Sequence, residues 1–256
     1  MLIDSHAHIY DLENKEQIIA NMQNDNLNAI VSVAYNLHSS QESVSLANLH
    51  DNIFAVVGVH PNYSDTVNVN YLNDLRAIVS KNEKVKAIGE IGLDYYRDRD
   101  KSVQQRVFVE QIELAQELNK HIMLHVRDSY TDVLKIIKTY SQEFISEKRN
   151  IIVHCFSGNL EQAQQFIALG CYLSFSGIIT FKNAKEAPII LRSIPKDKVL
   201  LETDCPYLAP MPHRGETNQP RYINYIAQKL ADIWQQDIKI VEEITTANTK
   251  KALSLC

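Results

Sequence analysis

The 256-residue sequence has few cysteines, glycines and prolines. Its four cysteines (Cys155, Cys171, Cys205 and Cys256) form no Cys-x-x-Cys pair and are too few for a disulfide scaffold. We therefore expect reduced thiols with a packing role. With only seven glycines, seven prolines and no low-complexity tract, the sequence indicates neither a flexible linker nor a disordered region. No shift of composition marks a domain boundary, so we predict one domain over residues 1–256.

Signals for export, for a membrane span and for a broad basic surface are also absent. Apolar runs reach only the length of strands, and the start Met1-Leu2-Ile3-Asp4 lacks a basic region followed by an apolar one. We expect a cytoplasmic protein without a membrane partner, and we favour a monomer. The formal net charge of −5 argues against an extended nucleic-acid surface. Two bound divalent ions would weaken this objection, because their four positive charges would bring the total from −5 to −1.

Short β-rich apolar runs alternate with longer amphipathic segments, a pattern typical of βα units around a parallel sheet. The pattern predicts eight strands, near residues 2–6, 29–33, 54–59, 86–90, 122–125, 151–154, 171–174 and 199–202. Helical periodicity fills the intervals, and two further helices are predicted near residues 220–234 and 240–253. This organisation favours an α/β fold, a (β/α)₈ TIM barrel with an extra C-terminal helix as an appendage. A doubly wound open sheet is the alternative.

Histidines and carboxylates recur at the carboxyl ends of the predicted strands. The first strand ends in His6-Ala7-His8, and side chains two apart on a strand share a face, so both imidazoles can reach one ion. The other candidates end or follow strands 4, 5, 6 and 8, and they are Glu90, His125, His154 and Asp204. In a barrel these strand ends share one mouth, whereas the first and last strands of an open sheet lie too far apart. The barrel and the metal site therefore support each other.

Four histidines and two carboxylates predict a centre for two divalent ions, which together can activate water and stabilise a leaving oxygen. One ion is expected at His6, His8 and Asp204, and the other at His125 and His154. Glu90 is expected to bridge them, and Asp204 is the expected general base. Histidine ligands favour Zn²⁺ or Mn²⁺ and phosphoryl chemistry favours Mg²⁺, so the identity of the metal stays open.

Several motifs between Ile3 and about Ile223 resemble those of the TatD-type metal-dependent deoxyribonucleases, within the amidohydrolase-like barrels. They include Asp4-Ser5-His6-Ala7-His8, Gly58-Val59-His60-Pro61, Gly89-Glu90-Ile91-Gly92-Leu93-Asp94, Leu124-His125-Val126-Arg127-Asp128, His154-Cys155-Phe156-Ser157-Gly158, Glu202-Thr203-Asp204-Cys205-Pro206 and Arg214-Gly215. The resemblance implies a (β/α)₈ barrel and a divalent-metal hydrolase that cleaves phosphodiester bonds in DNA, often as a 3′-to-5′ exonuclease. It also implies that the six residues proposed above are the metal ligands.

Three further residues are candidates for contact with the substrate. His60 follows strand 3 at the mouth, where it would meet a phosphate or the reacting water and act in catalysis beside Asp204 and Glu90, or would only support the ligands. Arg127 follows His125 by two residues and would bind a phosphate, or pair with Asp128 or another carboxylate. Arg214 is a second candidate for a phosphate contact.

An aromatic and basic loop follows Glu90, with Tyr95, Tyr96, Arg97 and Arg99. Such a loop is suited to stacking a base and holding a nucleic-acid backbone, or it only covers the top of the barrel. Because a barrel mouth walled by loops is concave, we expect the partner to be single-stranded DNA or a frayed 3′ end.

Two departures from the family pattern reduce the positive charge expected on the surface. Asn62 stands where relatives often have a second histidine after His-Pro, and Glu216 and Thr217 stand where they often have basic residues.

A binuclear hydrolase of small amides, esters or lactones is the alternative function, because the same ligands can activate water against carbon. An inactive metal-binding or partner-binding barrel is a third interpretation.

Overall fold

Eight parallel strands, paired in chain order, form the centre of the computed structural model, which describes residues 1–255. Backbone hydrogen bonds just beyond the last strand close the ring, from Asp204 N–H to the His6 carbonyl (2.9 Å) and from His8 N–H to the Cys205 carbonyl (2.8 Å). The chain is therefore a (β/α)₈ barrel, and the open sheet is excluded. The strands are β1 (Leu2–Ala7), β2 (Leu27–Val33), β3 (Ile53–Val57), β4 (Val85–Asp94), β5 (His121–Arg127), β6 (Ile151–Val153), β7 (Tyr172–Phe175) and β8 (Val199–Leu201).

Helices connect the strands and surround the barrel. Among residues 1–255, none of them combines the length and the apolar character that crossing a bilayer requires. At the start of two helices an asparagine side chain, that of Asn36 or Asn159, accepts the N–H of the third helical residue and so satisfies a free donor. The helices are α1 (Lys15–Asn21), α2 (Leu37–Leu49), α3 (Tyr71–Ser80), α4 (Lys101–Glu117), α5 (Tyr130–Ser146), α6 (Leu160–Ala168), α7 (Glu186–Ser193), α8 (Ile223–Trp234) and α9 (Ile238–Leu253).

The last helix, α9, closes the amino end of the barrel. Its final residues Ala252 and Leu253, with Leu255, belong to the core cluster inside the barrel. The Asn248 amide also donates to the Val199 carbonyl at the start of β8 (2.8 Å). Our expectation of an appendage is therefore wrong, because α9 supplies apolar groups to the barrel interior. The strand residues of the same cluster are Ile3, Ala29, Val31, Val33, Val56, Ala87, Met123, Ile152, Tyr172 and Leu200.

Strands β4 and β5 extend beyond the ends that the sequence indicated, to Asp94 and Arg127. Glu90 and His125 therefore lie within strands instead of ending them, which corrects the prediction. Gly92 adopts a φ of 142°, and a Cβ at this position would lie 2.1 Å from the His125 carbonyl oxygen. Glycine at 92 thus permits the close approach of β4 to β5 that places His125.

Three of the four cysteines lie in the described residues, and Cys155, Cys171 and Cys205 carry free thiols. Burial raises the pKa of the Cys171 thiol to about 12 and the pKa of the other two thiols well above the usual value. Because the thiolate is the reactive form, these groups are poor nucleophiles at neutral pH. The remaining cysteine, Cys256, lies outside the described residues.

Candidate metal centre

Six side chains from five strands meet at the carboxyl end of the barrel. The His125 and Asp204 side chains are the most accessible, with 17% and 12% of their surface exposed, while the other four residues are buried. The structure thus brings together all the residues that the sequence suggested as ligands. They are His6 on β1, His8 just after it, Glu90 on β4, His125 on β5, His154 after β6 and Asp204 after β8.

Glu90 lies between two groups of histidines. Its Oε2 atom faces Nε2 of His6 (3.6 Å) and Nε2 of His8 (3.9 Å). Its Oε1 atom faces Nδ1 of His125 (2.6 Å) and Nε2 of His154 (2.7 Å). The two carboxylate oxygens therefore face two half-sites, which we call the His6 half-site (His6, His8 and Asp204) and the His125 half-site (His125 and His154).

The donor atoms of the His6 half-site are spaced as ligands of a divalent ion are. The Nε2 atoms of His6 and His8 lie 3.4 Å apart, and each lies 3.5 Å from Oδ1 of Asp204. A tetrahedral ion with bonds of about 2.1 Å spaces its ligands about 3.4 Å apart. Nitrogen and oxygen donors at this spacing fit a divalent ion, and Glu90 Oε2 completes the set.

Local hydrogen bonds orient these ligands. The Nδ1–H group of His8 donates to the Val33 carbonyl (2.7 Å), which leaves the Nε2 lone pair free to face the half-site. Asp204 has a left-handed φ of 57°, and its N–H bond to the His6 carbonyl fixes that conformation against β1. A strained, well-held backbone of this kind is typical of functional positions.

Each histidine of the His125 half-site also contacts an outer carboxylate. Nε2 of His125 lies 3.3 Å from Asp94 Oδ2, and Nδ1 of His154 lies 3.2 Å from Glu202 Oε1. Asn62, which stands where relatives often have a second histidine, donates to the same oxygen of Asp94 (3.2 Å) and so helps to hold that carboxylate. Carboxylates of this type fix the orientation of ligating imidazoles. Asp94 and Glu202 both lie in the motifs shared with the family, but their role was not predicted, because motif spacing does not show which side chains face each other.

His60, three residues after β3, contacts the ligand set. Its Nε2 atom lies 3.6 Å from Glu90 Oε1, and its ring packs against that of His125 with centroids 4.3 Å apart. His60, Glu90 and His125 offer ligand atoms within 4.8 Å of one another, as do His6, His154 and Glu202. His60 and Glu202 thus both reach the centre.

Burial and mutual charge set the protonation of the centre. Burial raises the pKa of Glu90, but the charges of His154 and His60 outweigh it and hold this pKa well below the usual value. Burial, with the neighbouring His125 charge, lowers the pKa of His60 to about 3, and burial with the His154 charge lowers the pKa of His6. At His8, His125 and His154 burial lowers the pKa, but the neighbouring carboxylates outweigh it and raise the pKa of all three rings. Because the neutral imidazole is the ligand, metal binding would displace protons from these three rings.

The predicted phosphate contacts lie on the rim of the mouth. The Arg127 guanidinium lies 3.7 Å from the centroid of the Tyr96 ring, and the Arg214 guanidinium lies 4.5 Å from that of Phe181. Both arginines are exposed. Stacking on an aromatic ring leaves the guanidinium N–H groups free to bind an anion.

The loop after β4 is less open than the sequence suggested. The Tyr95 hydroxyl donates to Asp132 (2.7 Å), and the Lys101 ammonium covers its ring at 4.3 Å. Arg99 forms an ion pair with Asp65, while Arg97 is exposed. Both arginines of this loop are exposed, but Arg99 is held by its ion pair, so Arg97 is the better candidate for an anion contact.

Similar proteins are metal-dependent hydrolases, as the geometry of the centre indicates. The family model of TatD-related DNases matches residues 3–254. The chain is 38% identical to YabD of Bacillus subtilis (strain 168) over 258 residues, with 98% of each protein covered. It is 35% identical to YcfH of Escherichia coli (strain K12) over 255 residues, with 96% of this chain and 93% of that protein covered. Both relatives are described as uncharacterized metal-dependent hydrolases.

Solved structures share the fold. The crystal structure of YJJV, a TatD homolog from Escherichia coli k12, matches with a TM-score of 0.92 at 24% identity and covers 100% of this chain and 98% of its own. A TatD family hydrolase from Entamoeba histolytica matches with a TM-score of 0.87 at 22% identity, with the same coverage. The family model over residues 3–254 and the 38% identity to YabD show that the chain belongs to the TatD-related DNase family and is a metal-dependent hydrolase.

Proposed function

We propose that this protein is a deoxyribonuclease that removes nucleotides from the 3′ end of single-stranded or frayed DNA, using two divalent ions and Asp204 as general base. The observation that carries the proposal is the position of Glu90, whose two oxygens face two separate sets of ring nitrogens. The match to the TatD-related DNase model supports DNA as the substrate. His6, His8 and Asp204 would hold one ion, His125 and His154 the other, and Glu90 would contact both.

When bound, two such ions increase the acidity of water and stabilise the charge on a leaving oxygen. The protein supplies the proton acceptor and the anion contacts. Asp204 is 9% exposed and lies at the mouth, so it is accessible to a water that attacks the phosphorus. The proton of that water passes to Asp204, the bond to the 3′ oxygen of the preceding nucleotide breaks, and that oxygen takes a proton from solvent. The released product is a 5′-mononucleotide.

His60 is suited to contact the phosphate. Its Nδ1 atom accepts the N–H of Asn62 (2.9 Å), so the neutral ring carries its proton on Nε2. This Nε2–H group points to the centre, where Glu90 Oε1 is 3.6 Å away. It can therefore donate to a non-bridging oxygen of the substrate, while Arg127 and Arg214 on the rim bind phosphates further along the strand.

The decisive experiment follows 5′-labelled DNA after the protein has been stripped with a chelator and reloaded separately with Mg²⁺, Mn²⁺ and Zn²⁺. A linear single strand should shorten as a ladder, a circular single strand should survive, and a blunt duplex should be cut slowly. Rapid nicking of the circle would refute the exonuclease assignment. Turnover of small amides, esters or lactones without cleavage of any DNA would replace the nuclease by the alternative hydrolase.

A further inference from the structure

Four tyrosines lie on one side of the mouth, around the ring of His8. Tyr10 follows β1, Tyr35 follows β2, Tyr63 follows β3 and Tyr207 follows β8. The ring centroids of Tyr35 and Tyr207 each lie 5.8 Å from that of His8. Tyr63 stacks on Tyr35 with centroids 5.1 Å apart and planes inclined by 17°. The rings form one connected aromatic surface, in which Tyr10, Tyr35 and Tyr207 contact His8 and Tyr63 contacts Tyr35.

The four tyrosines differ in what holds them. Tyr10 is 5% exposed and donates to the Val33 carbonyl, the same group that accepts from His8, so it helps to position His8. Tyr35 is partly buried, and its hydroxyl reaches Asp11 (3.5 Å). Tyr63 and Tyr207 are 36% and 54% exposed, and their rings therefore present apolar area to solvent beside a buried polar centre. Large apolar surface left open next to a reaction site is typical of a ligand contact.

We propose that Tyr63 and Tyr207, supported by Tyr35, form the surface on which the nucleobase next to the scissile phosphodiester stacks. This inference rests on the proposed function and names the group that the substrate must carry. Every base has a π-face, so stacking on tyrosine binds a strand with little dependence on its sequence. The Asp11 carboxylate beside Tyr35 would repel a phosphate, so a base fits this surface better than the backbone does.

The ends of β4 and β5, next in order around the barrel, have complementary chemistry. There Arg127 stacks on Tyr96, and the basic loop with Arg97 follows β4. A strand that places its terminal base on the tyrosines and its phosphodiester over Glu90 would direct its remaining phosphates to this basic side. The Tyr95 ring, already covered by Lys101, is a weaker stacking surface than the sequence predicted.

The test compares two phosphodiesters that release p-nitrophenol, one with a base (thymidine 5′-monophosphate p-nitrophenyl ester) and one without (methyl p-nitrophenyl phosphate). For the thymidine ester, Tyr63→Ala and Tyr207→Ala should each raise KM by about 5- to 140-fold, which corresponds to the ~1–3 kcal/mol of one base–aromatic stack. Turnover of the methyl ester should stay unchanged. Tyr63→Phe and Tyr207→Phe should keep wild-type KM, because the ring and not the hydroxyl stacks the base.

Tyr225→Ala is the matched control, because Tyr225 is 42% exposed on α8 and lies outside the proposed surface. It should leave KM unchanged for both esters. Equal losses on both esters in the Tyr63 and Tyr207 variants would indicate a structural role and overturn the proposal. Unchanged KM for the thymidine ester would overturn it as well.

A binding measurement separates this proposal from the proposed function. Wild-type protein in EDTA, which prevents turnover, should bind a five-residue oligothymidylate more tightly than an abasic strand of the same length, and the two alanine variants should lose that difference. If the wild-type protein shows this difference but hydrolyses no phosphodiester, the nuclease assignment fails while the aromatic surface stands. If it binds both strands equally, the aromatic surface is refuted whatever the activity.

Discussion

Lowering the pH should destabilise the barrel through one histidine at its amino end, His121. Its ring is 8% exposed, and Nδ1 accepts the N–H of Asn150 (3.0 Å). The Nε2–H group is then left to donate to the Ser254 hydroxyl after α9 (3.0 Å). A second ring proton would break the bond from Asn150. Burial, together with the charges of Lys120, Lys86 and Arg149, lowers the pKa of His121 to about 4.

The sign and size of the effect follow from linkage. Because the folded pKa lies below the ordinary value of 6.5, the unfolded chain binds the proton more readily. The stabilisation is complete above pH 6.5 and is lost progressively as the pH falls to about 4. At 1.36 kcal/mol per pH unit, this interval corresponds to a loss of about 3 kcal/mol in the free energy of unfolding.

The assay is urea denaturation of the wild-type protein and of His121→Asn at several pH values, followed by the fluorescence of Trp234, which is 7% exposed. The asparagine variant can still accept the Asn150 N–H but does not titrate. Other titrating groups, including those of the distant metal centre, are common to both proteins and cancel in the difference. The difference in free energy of unfolding, wild type minus variant, should be about 3 kcal/mol smaller at pH 4 than at pH 7.5. A difference that stays constant with pH would refute the reasoning.

Four further predictions concern the centre and the core. Elemental analysis should approach two divalent ions per chain, and Glu90→Ala should reduce binding at both half-sites; saturation of the wild type at one ion would contradict the binuclear assignment. Asp204→Asn should reduce turnover by ~10²–10⁴-fold with an unchanged far-UV circular dichroism spectrum, and near-wild-type turnover with metal retained would assign the proton to another group. Asp94→Asn should weaken metal binding by ~10–100-fold in competition with a chelator, because His125 loses its orienting carboxylate; equal affinity would speak against that role. Leu253→Ala, at a fully buried position of the inner core, should lower the free energy of unfolding by ~2–5 kcal/mol in urea titration while the metal stoichiometry stays the same.

The fold could be derived from the sequence because its signals are local. Strands buried on both faces appear as short apolar runs, and all eight predicted runs are strands whose ends differ by a few residues from those expected. Parallel strands in a barrel share one mouth, so histidines and carboxylates near their carboxyl ends had to come close together. The convergence of His6, Glu90 and Asp204 is thus a consequence of strand order and needed no knowledge of side-chain contacts.

The tertiary structure decided what depends on pairs of residues distant in the chain. An amphipathic pattern shows that α9 has an apolar face but not which neighbour receives it, and only the fold places Leu253 inside the barrel. Asp94 and Glu202 became recognisable as partners of His125 and His154 only when β4, β5, β6 and β8 were side by side. The aromatic surface around His8 joins Tyr63 to Tyr207, 144 positions later in the chain. No local period encodes such a pairing, because it arises when the barrel closes and brings its first and last strands together.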